Sequence, residues 1–232
     1  MDNITFSMAS IPEREECLKI AIPAILLQAD RAKVYLNNYE AIPAFLNDPK
    51  IEVARSQDHG DLKDNGKFFW LSGTEGYCFI LDDDVLISPD YVERMIEKIE
   101  GHERRCVIAN HGSRFICQPI GNYFNKKSRR IYGNIDKDSY VHAVGTGSIA
   151  FHRSTIEFGL TDCIIPEMTD VWFSLAAKRQ GVPIIVIAER DKRLSLLDQG
   201  NPGLYGKYLN GLGRVQTRLI NEAMPWQELK PL

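Results

Sequence analysis

The sequence predicts an α/β protein with a mixed, mostly parallel central sheet flanked by helices. Three observations carry this. Short β-branched or apolar runs alternate with segments of helical periodicity over the first hundred residues. The run Tyr77 to Leu81 is apolar throughout and of strand length, as expected where both faces of a sheet are covered. The 232 residues are 44% hydrophobic and 25% charged, enough for one sizeable core and unlike a disordered chain.

In order along the chain, residues 4–9 read as a strand closed by Ser10-Ile11-Pro12, and residues 13–28 carry apolar side chains at helical spacing. Residues 33–36 and 51–54 read as strands, 41–46 as a short helix, and 67–72 as the opening of another. After the 77–81 strand, residues 92–99 form an amphipathic helix beyond Pro89. Strands are then expected at 106–109, 114–116, 130–132, 140–144 and 148–151. Helical spacing returns at 170–179 and stops at Gly181, residues 183–188 form a buried strand, and a Gly-rich loop leads to a helix over 213–223. No repeat or Pro/Ser linker divides the chain. One domain is expected over 1–232, with a nucleotide-type half to about residue 100 and a mixed half from about 101.

A formal net charge of −3 gives no reason to expect nucleic acid or an anionic membrane as a bulk partner. The five cysteines are scattered, with no CxxC pair and no zinc spacing, and are expected as reduced core thiols. No apolar run approaches the roughly 20 residues of a spanning helix. The start Met-Asp-Asn-Ile lacks a basic n-region. These features predict a cytoplasmic protein, with peripheral attachment to a membrane pathway left open.

The most informative residues are Asp82, Asp83 and Asp84, immediately after the buried strand and thus where ligands bind in open α/β sheets. Three adjacent carboxylates repel unless they are solvated or share a divalent cation, and an extended backbone puts Asp82 and Asp84 on one side. Their hard oxygens suit Mg²⁺ or Mn²⁺ together with substrate phosphates. The alternative is an acidic loop capping the next helix.

Four ordered segments resemble the GT-A glycosyltransferases, particularly bacterial family 2-like enzymes. They are Ser10-Ile11-Pro12-Glu13-Arg14, Phe79 to Asp84 followed by Ser88-Pro89-Asp90-Tyr91-Val92, Val144-Gly145-Thr146-Gly147-Ser148, and Thr169-Asp170-Val171-Trp172-Phe173. The resemblance implies a GT-A fold and transfer of a sugar, with inversion, from a nucleoside diphosphate donor such as a UDP-sugar to a hydroxyl of a glycan or glycoconjugate. It implies that Asp84, joined by Asp82, ligates Mn²⁺ or Mg²⁺, that Asp82 and Asp83 meet the donor, and that Pro12 and Gly147 are further donor contacts. Asp61 and Lys67, in the polar stretch 58–67, match positions that face the donor's base and diphosphate.

Asp170 begins a helical pattern, where a carboxylate is an ordinary cap; the resemblance makes it the general base, with Glu167 competing. Arg14 is either an exposed first-turn residue or a donor contact. Gly200 to Gly213, with Tyr205, Lys207 and Tyr208, is either a surface loop or a lid whose Lys207 meets the diphosphate; its spacing does not make a P-loop. No His follows His152, a departure from relatives in which a C-terminal His completes the cation shell; either Asp198 or water substitutes, or Asp84 and the donor phosphates hold the metal. Two other functions compete. A haloacid dehalogenase-type phosphatase also uses a carboxylate pair after an apolar strand, but on the first strand and with Thr or Val where Leu86 stands here. A non-catalytic nucleotide-sugar or glycan-binding module is the third.

Overall fold

The computed structural model describes residues 2–129, 136–188, 194–197 and 213–229. Eight strands form the central sheet: β1 (Ile4–Ser10), β2 (Arg31–Leu36), β3 (Ile51–Arg55), β4 (Tyr77–Leu81), β6 (Val107–Ala109), β9 (Ser139–Val141), β11 (Ser148–His152) and β12 (Ile184–Val186), in the order β3-β2-β1-β4-β11-β6-β12-β9. The first four strands are mutually parallel, β6 and β12 are parallel, and β11 and β9 run against their neighbours. A two-stranded antiparallel sheet pairs β5 (Val85–Ile87) with the sequence-distant β13 (Leu194–Leu196), and a small antiparallel sheet contains β10 (Ala143–Val144), β7 (Gly112–Phe115) and β8 (Lys126–Arg129).

Helices α1 (Glu15–Leu26), α2 (Ser56–His59), α3 (Tyr91–Gly101), α4 (Thr169–Arg179) and α5 (Gly213–Glu222) complete the described elements. Strand alternation decides the layering. Phe79 of β4 packs on one face with Phe6, Met8 and the apolar stripes of α1 and α3. Cys78 and Ile80 face the other way, toward α4, Phe151 and Ile220 of α5. The complete burial of β4 expected from its composition is observed. None of the described helices is long and apolar enough to cross a membrane.

Several expectations change. Residues 41–46 contain only a 3-10 turn at Ala44–Leu46. The helix expected at 67–72 is instead a 3-10 segment at Lys63–Phe68 and another at Leu71–Gly73. Tertiary contact explains the tighter winding: Ser7 donates its hydroxyl to the Lys67 carbonyl at 2.7 Å, and Gly66 lies so close to the Tyr35 ring that a Cβ would collide with it. The strand expected at 140–144 breaks into β9 and β10 at His142, whose ring stacks on Phe115. The strand expected at 130–132 and the Gly-rich stretch before 213 lie outside the described residues. All five cysteines are free, but Cys117 is exposed and Cys17 half-buried rather than in the core.

Candidate active site

The sheet order reverses between β1 and β4, which puts a crevice at the carboxyl ends of these two parallel strands. Arg14 lies beyond β1, on the 3-10 turn Pro12–Arg14, and the acidic triplet lies beyond β4. Pro12 starts that turn and is exposed at the mouth of the crevice.

The triplet does not continue as a strand. The Val85 amide donates to the Asp82 carbonyl, and the chain turns through Asp83 and Asp84. The expected alternation is therefore lost, and Asp83, not Asp82, shares a partner with Asp84. Arg14 Nη1 stands 3.1 Å from Asp83 Oδ1 and 2.9 Å from Asp84 Oδ2, while Lys67 Nζ is 2.6 Å from Asp82 Oδ1. The repulsion among the three carboxylates is offset by the two side-chain cations among them, and Asp82 is in addition partly solvated. Asp83 and Asp84 are only 3% and 6% exposed.

The environments differ. Burial and the flanking carboxylates push Asp83 up to about 6, against the pull of Ser10 and Arg14. Burial also raises Asp84, with Asp82 adding to it and Arg14 opposing. Asp82 goes the other way: burial favours its neutral form, but Lys67, then Arg14 and His111, hold it below the ordinary carboxylate range.

A second group of residues ties this edge to α4. Asp170 is not a helix cap: residue 168 occupies that position without a side-chain bond, and Asp170 Oδ1 instead accepts the Thr146 amide and the Thr146 hydroxyl, each at 2.7 Å. The next residue, Gly147, accepts the Asp82 amide at 3.0 Å, and a Cβ there would strike the Asp82 carboxylate. Two consecutive residues thus join Asp82 to Asp170. Register enforces this, since Ser148 pairs with Leu81 and Gly147 falls opposite Asp82.

Beneath them lies Asp64, which spacing did not single out. It accepts the Glu167 amide at 2.7 Å and the Thr169 hydroxyl at 2.8 Å; burial raises it, and Lys67 opposes the shift. Lys67 is only 5% exposed, and its ammonium is held charged despite burial by Asp82, Asp64 and Asp170. Lys63 and Glu167 both adopt left-handed backbone (φ 51° and 63°) and pair with each other at 3.3 Å, so strain is stored where the 63–68 segment meets α4. That pairing aims the Glu167 carboxylate at Lys63 rather than at the triplet. Lys126, also unsuspected, sits 3.6 Å over the Tyr123 ring within electrostatic reach of Asp170, and burial pushes it down to about 8.

The structure therefore gathers Arg14, Lys67, Asp82, Asp83, Asp84, Gly147 and Asp170. Asp61 stands apart at an exposed rim, accepting the Lys63 amide at 3.1 Å and near Asn38. Lys207 and Asp198 fall outside the described residues. Among the described residues no three or more His, Cys, Asp or Glu side chains are arranged to hold a metal by themselves. Asp84 and Asp82, close enough that Asp82 raises the proton affinity of Asp84, offer hard oxygens of the kind Mg²⁺ or Mn²⁺ takes, a partial shell that substrate phosphates would have to complete.

Comparison with known proteins bears on the fold and the family. By structure the chain is similar to Staphylococcus aureus TarS, residues 1–349, solved in complex with UDP-GlcNAc, with a TM-score of 0.61 and 11% identity. The match covers 95% of this chain and 66% of that one, so the chain spans just under two thirds of the TarS chain's length. No curated protein sequence matches significantly. The model of the family described as "Glycosyl transferase family 2" matches residues 29–158, more than half of the sequence. The fold is of the GT-A type, and the chain belongs to glycosyl transferase family 2.

Proposed function

We propose that this chain is an inverting glycosyltransferase that moves a sugar from a nucleoside diphosphate donor, a UDP-sugar, to a hydroxyl of a glycan or glycoconjugate. The observation that carries this reading is the Thr146-Gly147 link. It ties the backbone of Asp82, through its amide to the Gly147 carbonyl, and the carboxylate of Asp170, through Thr146, to adjoining residues. The likeness to a TarS chain solved with UDP-GlcNAc supports a uridine nucleotide.

In this reading the donor diphosphate lies along the triplet beside Arg14, with Pro12 and Gly147 lining it. Asp61 and Lys207 are assigned to the donor only by resemblance. Thr146 engages Asp170 Oδ1, and among the described residues no hydrogen bond occupies Oδ2. That oxygen takes the proton of the acceptor hydroxyl as its oxygen attacks the anomeric carbon. The bond to the diphosphate breaks on the opposite face, and the electron pair leaves with the phosphate oxygen, through an oxocarbenium-like transition state. A bound Mg²⁺ or Mn²⁺ supplies Lewis-acid neutralisation of the departing diphosphate, held by Asp84 and Asp82. Lys67 keeps Asp82 ionised and fixed.

The test is incubation with Mn²⁺ and a panel of nucleotide sugars, with and without hydroxyl acceptors, following nucleoside diphosphate and inorganic phosphate separately. Acceptor-stimulated diphosphate release is the expected result. Inorganic phosphate as the first product would support a phosphatase, and binding without release would support a non-catalytic module.

A further inference from the structure

The two cations that neutralise the triplet are held differently. Lys67 is locked: its side chain is 6% exposed and its charge faces Asp82, Asp64 and Asp170. Arg14 reaches in from the crevice edge on a three-residue turn, and its side chain is 18% exposed. Its guanidinium does not deprotonate in the working pH range, so it is a permanent positive charge. One nitrogen of that group lies within 3.1 Å of oxygens from both Asp83 and Asp84. A divalent cation approaching Asp84 meets this charge first, and the two positive charges repel most strongly in a partly dehydrated site.

A diphosphate changes the balance. Its oxygens offer the guanidinium a planar, two-pronged match at least as good as two separate carboxylates. Transfer of Arg14 from Asp84 to the phosphate would free a carboxylate oxygen at the moment when phosphate oxygens arrive to complete a cation shell.

We propose that Arg14 is a tethered counter-ion: it keeps the free triplet closed to divalent cations and passes to the donor's diphosphate on binding, so that cation binding is conditional on the nucleotide. This rests on the reading of residues 82–84 as the donor site. It adds an order of events, nucleotide with or before cation, and a positioning role for Arg14 that stands apart from chemistry.

The experiment is calorimetric titration of Mn²⁺ into the wild-type chain and into Arg14→Met, each with and without UDP, after thermal melting has shown both folded. Wild-type protein should bind Mn²⁺ weakly alone and at least about tenfold more tightly with UDP, within the usual range of coupling between sites. Arg14→Met should bind Mn²⁺ at least about tenfold more tightly than wild type without UDP and lose most of the coupling. Arg14→Lys keeps the charge and should keep the weak Mn²⁺ binding. The double variant Arg14→Met with Asp84→Asn should lose the gain, locating the ion at Asp84. If UDP binds but Mn²⁺ affinity without it is the same in wild type and Arg14→Met, the counter-ion role is wrong and the donor site stands. If UDP binds to neither protein, the donor-site reading itself fails and the counter-ion role with it.

Discussion

Lys67→Met tests whether a buried ammonium organises the site. The substitution keeps the length of the side chain but leaves Asp82 and Asp64 without the charge that faces them. Removing one partner of a fully buried pair costs about 3–5 kcal/mol, whereas exposed pairs are worth about 0–1 kcal/mol. Lys67 belongs to the first class, but the Asp82 side chain is 43% exposed and can rehydrate. A loss of about 2–3 kcal/mol lies between these limits. At about 2–4 °C per kcal/mol for a chain of this size, the melting temperature should fall by about 4–12 °C at pH 7.

The pH dependence has a definite sign. The depressed Asp82 carboxylate contributes stability above the ordinary carboxylate range, and this is lost as pH falls through its folded value. The raised Lys67 ammonium contributes throughout the neutral range. In the variant, Asp82 and Asp64 take up protons more readily, so the deficit should be widest near neutrality and narrow in acid. Thermal melts of both proteins at pH 7 and pH 4.5 measure this. Equal melting temperatures at pH 7, or a gap that does not change with pH, would refute the role given to Lys67.

Gly147→Ala should lower stability by about 1–3 kcal/mol, because its Cβ meets the Asp82 carboxylate, and weaken UDP binding in calorimetry; unchanged UDP affinity would show that Asp82 is not fixed by this contact. Lys126→Met should raise the melting temperature at pH 7, since a lysine pushed down to about 8 destabilises the fold while charged. That gain should disappear as pH rises from about 8 toward the ordinary value of 10.5. A loss at pH 7 would mean that the contacts with Tyr123 and Asp170 outweigh the burial.

The parts of this architecture that local chemistry dictates were legible in the sequence. The buried β4 run, the amphipathic stripe of α3 and the periodicity of α1 and α4 each follow from spacing along one element. So does the triplet's place at a strand's carboxyl end, and the family resemblance then assigns the roles. What stayed hidden depends on distant partners. Lys67, which only the resemblance singled out, and Asp64 sit in a stretch polar enough to pass for a solvated loop, yet Lys67 is buried and Asp64 half-buried because Asp82 and Thr169 supply the compensating contacts. Nothing in the spacing near Asp170 announces that Thr146 will hold its carboxylate. His142 interrupts a strand because its ring is wedged between Phe115 and Trp226, the latter far along the chain. The turn at Asp83 and Asp84, which decides which carboxylates share Arg14, also runs against the simple continuation of a strand pattern.

The claim that Asp170 is the base is tested most directly by Asp170→Asn under single-turnover conditions, with saturating UDP-sugar, Mn²⁺ and acceptor. The amide oxygen can keep both bonds from Thr146, but the side chain cannot accept a proton at neutral pH. Transfer should slow by about 10²- to 10⁴-fold, while the melting temperature and UDP affinity stay near those of the wild type. Transfer at a comparable rate would contradict it and move the base to another carboxylate, with Glu167, released from Lys63, the first to examine.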